Sequence, residues 1–147
     1  MLFRSQQRMN TLPIPLLLQD MQDLFNFFDD PKDKYAQLID FGQKAPGLKK
    51  EDFIEENRIY GCSSNAWVKI IKNENRTYAI QTDSDALIVK GLLSLLEKLI
   101  AGQDQSAILS IESKTLLEAI GLGGSISGQR SNGFMNAIEK IQSEIQK

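Results

Sequence analysis

Apolar side chains recur with a helical period in the first third of the chain. After Pro15 they stand mostly three or four residues apart, at Leu17, Met21, Leu24, Phe25 and Phe28. This spacing predicts an amphipathic helix, with Pro15 at its first helical position. Asp30 and Pro31 are typical of a second helix start, as N-cap and first helical residue. That helix is predicted to reach about Gln43, because Pro46 cannot continue a helix.

The middle of the chain changes to strand-forming residues. Residues 67–72 and 77–82 are rich in β-branched and aromatic side chains, and the Asn-Glu-Asn sequence at 73–75 is typical of a turn. Two such runs joined by a short turn predict an antiparallel pair of strands. Cys62 is predicted to lie on the turn that enters this sheet.

Residues 86–101 are apolar around most of a helical circumference, which predicts a central buried helix. The Asp-Ser-Asp sequence at 83–85 predicts the start of this helix, since these residues are common N-caps. Gly102 is the predicted C-terminal glycine. Gly91 in the helix interior should cost about 1 kcal/mol relative to alanine, and a close contact with another element would explain it.

The remaining sequence predicts a shorter helix at residues 114–120, a glycine- and serine-rich loop at 121–128, and a last helix from about Ser131. Apolar residues of the last helix recur at Phe134, Ile138, Ile141 and Ile145. The expected fold is therefore α+β, with several helices packed on a small antiparallel sheet. The 147 residues suit one domain over 1–147, with residues 1–12 expected as a flexible N-terminal tail.

Composition excludes some classes of partner. The net charge of −2 lacks the basic excess of a nucleic-acid-binding protein. The longest apolar stretch, residues 86–101, is too short for a membrane span and contains Lys90, Glu97 and Lys98. We therefore expect neither a nucleic acid nor a membrane as partner.

Cys62 is the only cysteine, and the chain has no histidine. One thiol cannot form an internal disulfide, and a zinc site or an iron–sulfur cluster needs several soft or nitrogen ligands. A cysteine hydrolase usually needs a histidine base. We expect no metal and no cofactor bound to this chain. Cys62 then either reacts alone, reacts with a partner protein, or is structural.

Three motifs resemble the SufE family of sulfur-acceptor proteins. The first is Asn57-x-Ile59-x-Gly61-Cys62-x-Ser64-x-x-Trp67, the second spans residues 83–92, and the third is Arg130-Ser131-x-Gly133. Residues of the second predicted helix also match, and the matches keep their order over nearly the whole chain. Ser63 and Ala66 depart from the glutamine and valine more usual in the family.

The resemblance implies a SufE/IscU-like fold and an activity that the residue counts allow. Such proteins take persulfide sulfur from a cysteine desulfurase, stimulate that enzyme, and deliver the sulfur to iron–sulfur cluster assembly. Pyridoxal phosphate belongs to the desulfurase, so this chain would be a sulfurtransferase-like carrier and activator rather than a stand-alone enzyme. The implied partners are the desulfurase and an iron–sulfur scaffold complex. The expected compartment is the cytoplasm, with the plastid stroma as the alternative.

The resemblance places the reactive sulfur on Cys62 and names a supporting set around it: Gly61, Ser63, Ser64, Arg58 and Arg130. Arg58 and Arg130 would stabilise a thiolate or persulfide, although an arginine is more often a solvated surface group. Gly61 would serve backbone geometry. The alternative function is a regulatory binding module without catalysis, in which Cys62 is structural.

Overall fold

The computed structural model describes residues 12–61, 64–122 and 128–147, with the backbone alone for 128–131. Six helices lie in this part of the chain: Ile14–Asn26 (α1), Pro31–Lys44 (α2), Leu87–Ile100 (α3), Gln105–Leu109 (α4), Ser113–Ala119 (α5) and Gly128–Ile145 (α6). Three strands accompany them: Ala66–Lys72 (β1), Thr77–Ser84 (β2) and Gln103–Asp104 (β3). Two short 3₁₀ turns, Lys50–Asp52 and Glu55–Asn57, precede the sheet. The fold is α+β, as predicted.

The sheet is antiparallel in the order β1-β2-β3. β1 and β2 pair along their whole length, from Ala66 opposite Ser84 to Lys72 opposite Tyr78. Both strands and the turn between them agree with the sequence prediction. β3 pairs with only the first two residues of β2 and was not predicted, because two residues are too few to show a strand pattern.

Helix α3 is the centre of the core, as its apolar circumference predicted. Nine of its residues are buried: Val89, Gly91, Leu92, Leu93, Ser94, Leu95, Leu96, Leu99 and Ile100. Helix α2 packs against one side of α3, and β2 packs against another. The helix is therefore covered by both a helical layer and the sheet.

Glycines bring α2 and α3 into backbone contact. A Cβ atom added to Gly91 would lie 2.1 Å from the carbonyl oxygen of Leu38, and one added to Gly42 would lie 2.6 Å from that of Leu87. Real Cβ atoms do not approach backbone so closely, so only glycine fits at this helix spacing. The expected close contact at Gly91 is confirmed.

Helix starts and ends agree with the sequence at several points. Helix α1 begins at Ile14, so Pro15 is its second residue rather than its first. The Asp30 side chain caps α2 by accepting a hydrogen bond from the Lys32 N–H at 2.9 Å. Gly102 follows α3 with a left-handed φ of 79°. Leu12 is the first described residue, and its carbonyl accepts a hydrogen bond from Gln103 at 2.7 Å. The tail expected at residues 1–12 otherwise lies outside the described residues.

The prediction that residues 83–85 begin α3 was wrong. Strand β2 continues through Ser84, and the N-cap of α3 is Ala86, which has no side-chain cap. Asp83 instead accepts hydrogen bonds from the backbone N–H groups of Leu48, at 3.0 Å, and Ser84, at 2.8 Å. It also forms an ion pair with Lys90 at 3.5 Å. Residues typical of an N-cap can accept from any nearby N–H, and here a loop from another region supplies one.

The last helix begins earlier than predicted. Helix α6 starts at Gly128, three residues before Ser131, so the helix includes the end of the glycine- and serine-rich stretch. Of that predicted loop, residues 123–127 lie outside the described residues.

β3 pairs with only the first two residues of β2, and further along the same edge of β2 two backbone N–H groups donate to carboxylates. The Thr82 N–H and hydroxyl both donate to Oε2 of Glu97 on α3, at 2.8 and 2.5 Å. The Ser84 N–H donates to Asp83 at 2.8 Å. These backbone groups therefore find acceptors inside the chain, although no strand of the described residues lies beside them.

Candidate functional site

The chain segments on either side of Cys62 pair with each other. Cys62 and Ser63 themselves lie outside the described residues. On either side of them, the Ile59 N–H donates to the Ala66 carbonyl at 2.9 Å, and Arg58 forms an isolated β-bridge with Trp67. The two ends of the segment 59–65 therefore lie beside each other next to β1. We call this segment the thiol loop.

The Arg58 side chain joins the two ends of the thiol loop. Its Nη2 donates to Oδ1 of Asn65 at 2.7 Å. Its guanidinium carbon lies 5.7 Å from the ring centre of Tyr60 and 5.9 Å from that of Trp67, within the range of cation–π attraction. Arg58 is thereby held across the base of the loop. Its action on the thiol stays a prediction.

Asn65 is the C-terminal anchor of the thiol loop. Its N–H and its side-chain amide donate to the two carboxylate oxygens of Asp85, at 3.1 and 2.9 Å. Its carbonyl accepts from the Ser84 hydroxyl at 2.9 Å and from the Asp85 N–H at 3.1 Å. Ser84 and Asp85 therefore anchor the loop instead of starting a helix. The two motifs that were predicted separately meet here.

The N-terminal end of the thiol loop is held by α6. Asn136 donates from Nδ2 to the Tyr60 carbonyl at 2.8 Å, and Lys140 donates from Nζ to the Glu56 carbonyl, also at 2.8 Å. Lys140 additionally pairs with Glu144 at 2.8 Å. Sequence reasoning missed Asn136 and Lys140, because both are separated from their partners by more than 75 residues and carry no local signal.

An open cleft of about 540 Å³ lies between this part of α6 and the loop. Its lining comprises Glu55, Glu56, Arg58, Tyr60, Gly61, Asn136 and Lys140. Gly61, the residue before Cys62, therefore faces a solvent-accessible cleft.

Tyr60 is an exposed aromatic residue two positions before Cys62, with 59% of its surface accessible. Its hydroxyl donates to the Glu55 carboxylate. This hydrogen bond is the main cause that raises the pKa of Tyr60 above its ordinary value, because ionisation of the phenol would remove the donor. Tyr60 is thus a neutral hydrogen-bond donor at physiological pH.

The other predicted residues are placed as follows. Gly61 has a left-handed φ of 87°, so its predicted role in backbone geometry agrees with its conformation. Ser64 is half-buried next to Asn65. Arg130 lies in the first turn of α6, and its side chain is not among the described groups. The predicted thiolate contacts of Arg58 and Arg130 remain predictions.

Neither a metal-binding cluster nor a membrane-spanning helix is found in the described part of the chain. Among residues 12–61, 64–122 and 128–147, no three or more His, Cys, Asp or Glu side chains are grouped to hold a metal ion. Within the same described residues, no helix combines the length and the apolar character needed to cross a bilayer.

Comparisons with known proteins agree on one family. Residues 19–145 match the family model described as SufE, an Fe–S metabolism associated domain. The chain is 34% identical over 129 residues to SufE-like protein 1, chloroplastic/mitochondrial, of Arabidopsis thaliana, a match that covers 88% of this chain. It is 33% identical over 130 residues to an uncharacterised SufE-like protein of Rhizobium etli, covering 86% of this chain and 88% of that protein. The match spans 34% of the length of the Arabidopsis protein.

A solved structure supports the fold independently. The solution structure of a hypothetical protein from Thermus thermophilus superposes with a TM-score of 0.71 at 19% identity, covering 88% of this chain and 93% of that one. At this identity the likeness concerns the fold alone. The family match over residues 19–145 and the relative from Rhizobium etli, of which 88% is covered, show that the chain belongs to the SufE family of Fe–S metabolism associated domains.

Proposed function

We propose that the protein is a sulfur acceptor and carrier that takes persulfide sulfur from a cysteine desulfurase onto Cys62. The observation that carries this proposal is the position of the only thiol in a SufE-family chain. Cys62 falls within a loop whose two ends are joined by the Arg58–Trp67 bridge and anchored to the rest of the fold.

The transfer is a thiolate attack on a sulfur–sulfur bond. The Cys62 thiolate attacks the terminal sulfur of the partner's cysteine persulfide. A new S–S bond forms on Cys62, the partner's S–S bond breaks, and the electron pair and a proton return to the partner's cysteine. Cys62 is left as a persulfide, and there is no net oxidation or reduction.

The same reaction explains stimulation of the desulfurase. A desulfurase whose cysteine carries a persulfide cannot begin another turnover until the sulfur is removed. An acceptor that removes it raises the turnover rate, while pyridoxal phosphate on the desulfurase supplies the chemistry that releases sulfur from free cysteine. This chain then passes the sulfur to an iron–sulfur scaffold complex by a second attack of the same kind.

The anchored loop suits a carrier that must meet two partners. Its ends are fixed by Asn65 on one side and by the α6 contacts on the other, so the reacting sulfur is carried on a short segment attached to a rigid scaffold. Reducing compartments suit a carrier with a free thiol, and we propose the cytoplasm or the plastid stroma.

The test is mass spectrometry after incubation with desulfurase, cysteine and pyridoxal phosphate. The parent chain should gain the mass of one sulfur atom and should stimulate cysteine turnover. Cys62→Ser should fold, because the change is small, and should gain no sulfur, because a hydroxyl is a far weaker nucleophile at neutral pH. If Cys62→Ser stimulates the desulfurase as well as the parent does, the chain is the regulatory binding module instead.

A relocated thiol provides the matched control. Ser106 is exposed on α4, beside the turn end of the hairpin, whereas Asn65 and Ser84 mark its opposite end. The double variant Cys62→Ser, Ser106→Cys again has one thiol, now far from the loop. It should gain no sulfur from the desulfurase. Equal uptake by this variant would show that any accessible thiol suffices and that the loop has no role.

A further inference from the structure

The geometry points to Asn136 as a positioning residue for the acceptor thiol: its amide holds the Tyr60–Gly61 peptide in place and so sets where the chain enters Cys62. The inference rests on the proposed function, since positioning matters only if Cys62 accepts sulfur. It goes further by assigning a role to a helix residue outside the three family motifs.

The first observation is a hydrogen bond that reaches across the cleft. Nδ2 of Asn136, in α6, donates to the carbonyl of Tyr60 at 2.8 Å. One turn further along α6, Lys140 donates to the carbonyl of Glu56 at 2.8 Å. Two side chains of one helix therefore hold the main chain that leads to the loop, at two separate carbonyls.

The second observation is the space at Gly61. A Cβ atom on Gly61 would lie 1.9 Å from Nδ2 of Asn136, so the amide occupies the volume that any other side chain would need. Gly61 also has a left-handed φ of 87°. Gly61 and Asn136 are thus a matched pair, because the missing Cβ lets the amide reach the Tyr60 carbonyl.

The consequence for Cys62 follows from the planarity of the peptide bond. The Tyr60 carbonyl and the Gly61 N–H share one plane, so the bond from Asn136 fixes the orientation of that whole unit. Only the two backbone dihedrals of Gly61 then separate the fixed plane from the start of Cys62. Glycine is the residue least able to hold such dihedrals alone, so it depends on an outside contact.

Asn136 acts through the backbone and not on the sulfur. One N–H of its amide donates to the Tyr60 carbonyl, and an amide does not titrate, so it supplies neither a charge nor a base to the thiol. Its removal should therefore reduce reactions that need one orientation of the thiol, and should not reduce reactions with a small reagent that accepts many orientations. This difference separates a positioning role from activation of the thiolate.

The experiment uses Asn136→Ala and Asn136→Asp in the full chain. The alanine variant loses the hydrogen bond to the Tyr60 carbonyl. The aspartate variant keeps the shape of the side chain but places a carboxylate oxygen, which cannot donate, against that carbonyl. We expect the rate of sulfur transfer from the desulfurase to fall by about 2- to 10-fold, the factor that a typical single hydrogen bond contributes. The rate of iodoacetamide alkylation, which reports on Cys62 alone because it is the only thiol, should not fall.

Asn132→Ala is the matched control. Asn132 is an exposed asparagine one turn earlier on α6, and its replacement should leave both rates unchanged. Asn136→Gln, which retains an amide donor, should recover part of the transfer rate. Thermal unfolding of every variant checks that the chain remains folded at the assay temperature.

A double-mutant cycle with Gly61→Ala tests the pairing itself. The added methyl group displaces the Asn136 amide, so Gly61→Ala should already break the bond, and adding Asn136→Ala should slow transfer by less than it does in the parent. Unchanged transfer in Asn136→Ala, or an equal fall in alkylation, would overturn the inference. A parent chain that takes up no sulfur would instead overturn the proposed function itself, and this inference would fall with it.

Discussion

Gly91 and Gly61 obey the same steric rule in two very different regions. A Cβ atom on Gly91 would lie 2.1 Å from a backbone oxygen, the Leu38 carbonyl in α2, within the buried core. One on Gly61 would lie 1.9 Å from Nδ2 of Asn136, the end of a movable side chain beside an open cleft. The first contact can be relieved only by moving a helix, and the second by rotating one side chain. The core contact therefore governs stability, and the loop contact governs local order.

The largest expected effect is that of Gly91→Ala. The methyl group must push α2 and α3 apart, which outweighs the roughly 1 kcal/mol that alanine gains in helix propensity. We expect the free energy of unfolding to fall by about 2–3 kcal/mol. Urea denaturation followed by circular dichroism measures this change.

Gly91→Ala has one control within the helix contact and one outside it. Gly42→Ala, where the Cβ would stand 2.6 Å from the Leu87 carbonyl, should destabilise in the same direction. Glu118→Ala, at an exposed position of α5, should change stability by less than about 0.5 kcal/mol. A stable Gly91→Ala variant would show that α2 and α3 can separate without loss, and the comparison would fail.

Asp83→Ala is expected to have the next largest effect. Gly47 lies against the Asp83 side chain in the same way as Gly61 lies against Asn136, since a Cβ atom on Gly47 would stand 2.4 Å from Oδ2 of Asp83. The hydrogen bond of Asp83 with Leu48 is partly buried. Replacement leaves the N–H groups of Leu48 and Ser84 without their acceptor, so we expect a loss of about 1–2 kcal/mol. Asp83→Asn keeps an acceptor oxygen and should lose less. Equal losses would assign the effect to the ion pair with Lys90.

Gly61→Ala should destabilise the chain by only about 1 kcal/mol, because alanine must adopt the left-handed φ while Asn136 can rotate away. Thermal and urea unfolding measure the loss. Gly102→Ala is the reference, since Gly102 has a similar φ of 79° far from Asn136. A loss as large as that of Gly91→Ala would show that the loop contact is part of the cooperative core.

The smallest expected effect concerns Tyr60. Its hydrogen bond to Glu55 raises the pKa of the phenol above 10.0, so Glu55→Ala, which removes the acceptor, should lower that pKa toward the ordinary value. The stabilisation from this bond is present below about pH 10 and disappears as the pH rises through the raised pKa. Tyrosinate absorbance, with Tyr60→Phe as the subtraction reference, follows the titration. An unchanged midpoint in Glu55→Ala would assign the shift to another group.

The sequence predicted the parts of the fold whose causes are local. Asp30 caps the start of α2 with its side chain, and the ring of Pro31 fixes φ at the first helical position. Both properties belong to the residues themselves. Gly91 indicated a close contact because glycine is unfavourable inside a helix unless something approaches it. Both predictions need only the helix period and the known cost of each residue type.

The sequence did not predict the hydrogen-bond partners of polar side chains that could bond to more than one group. Asp83 and Asp85 could cap a helix by their type. Asp83 accepts instead from the N–H groups of Ser84 and Leu48, and Asp85 accepts from that of Asn65. Only the tertiary fold brings Leu48 and Asn65 near. Asn136 and Lys140 lie on a helix surface in a pattern typical of solvated residues, and their acceptors are more than 75 residues away. Long-range hydrogen bonds to backbone carbonyls leave no periodic signal in a single sequence.

The carboxylates along β2 also have a consequence for contacts between molecules. A strand that lacks a neighbour presents free N–H and C=O groups, and such an edge can recruit a strand from another chain and begin aggregation. Here Glu97 already binds the Thr82 N–H, and Asp83 binds that of Ser84. An incoming strand would have to displace both carboxylates and would bring its own carbonyl oxygens against their negative charge. The end of β2 at Thr82 and Ser84 is thereby protected against intermolecular strand addition, although no strand in the described part of the chain covers it.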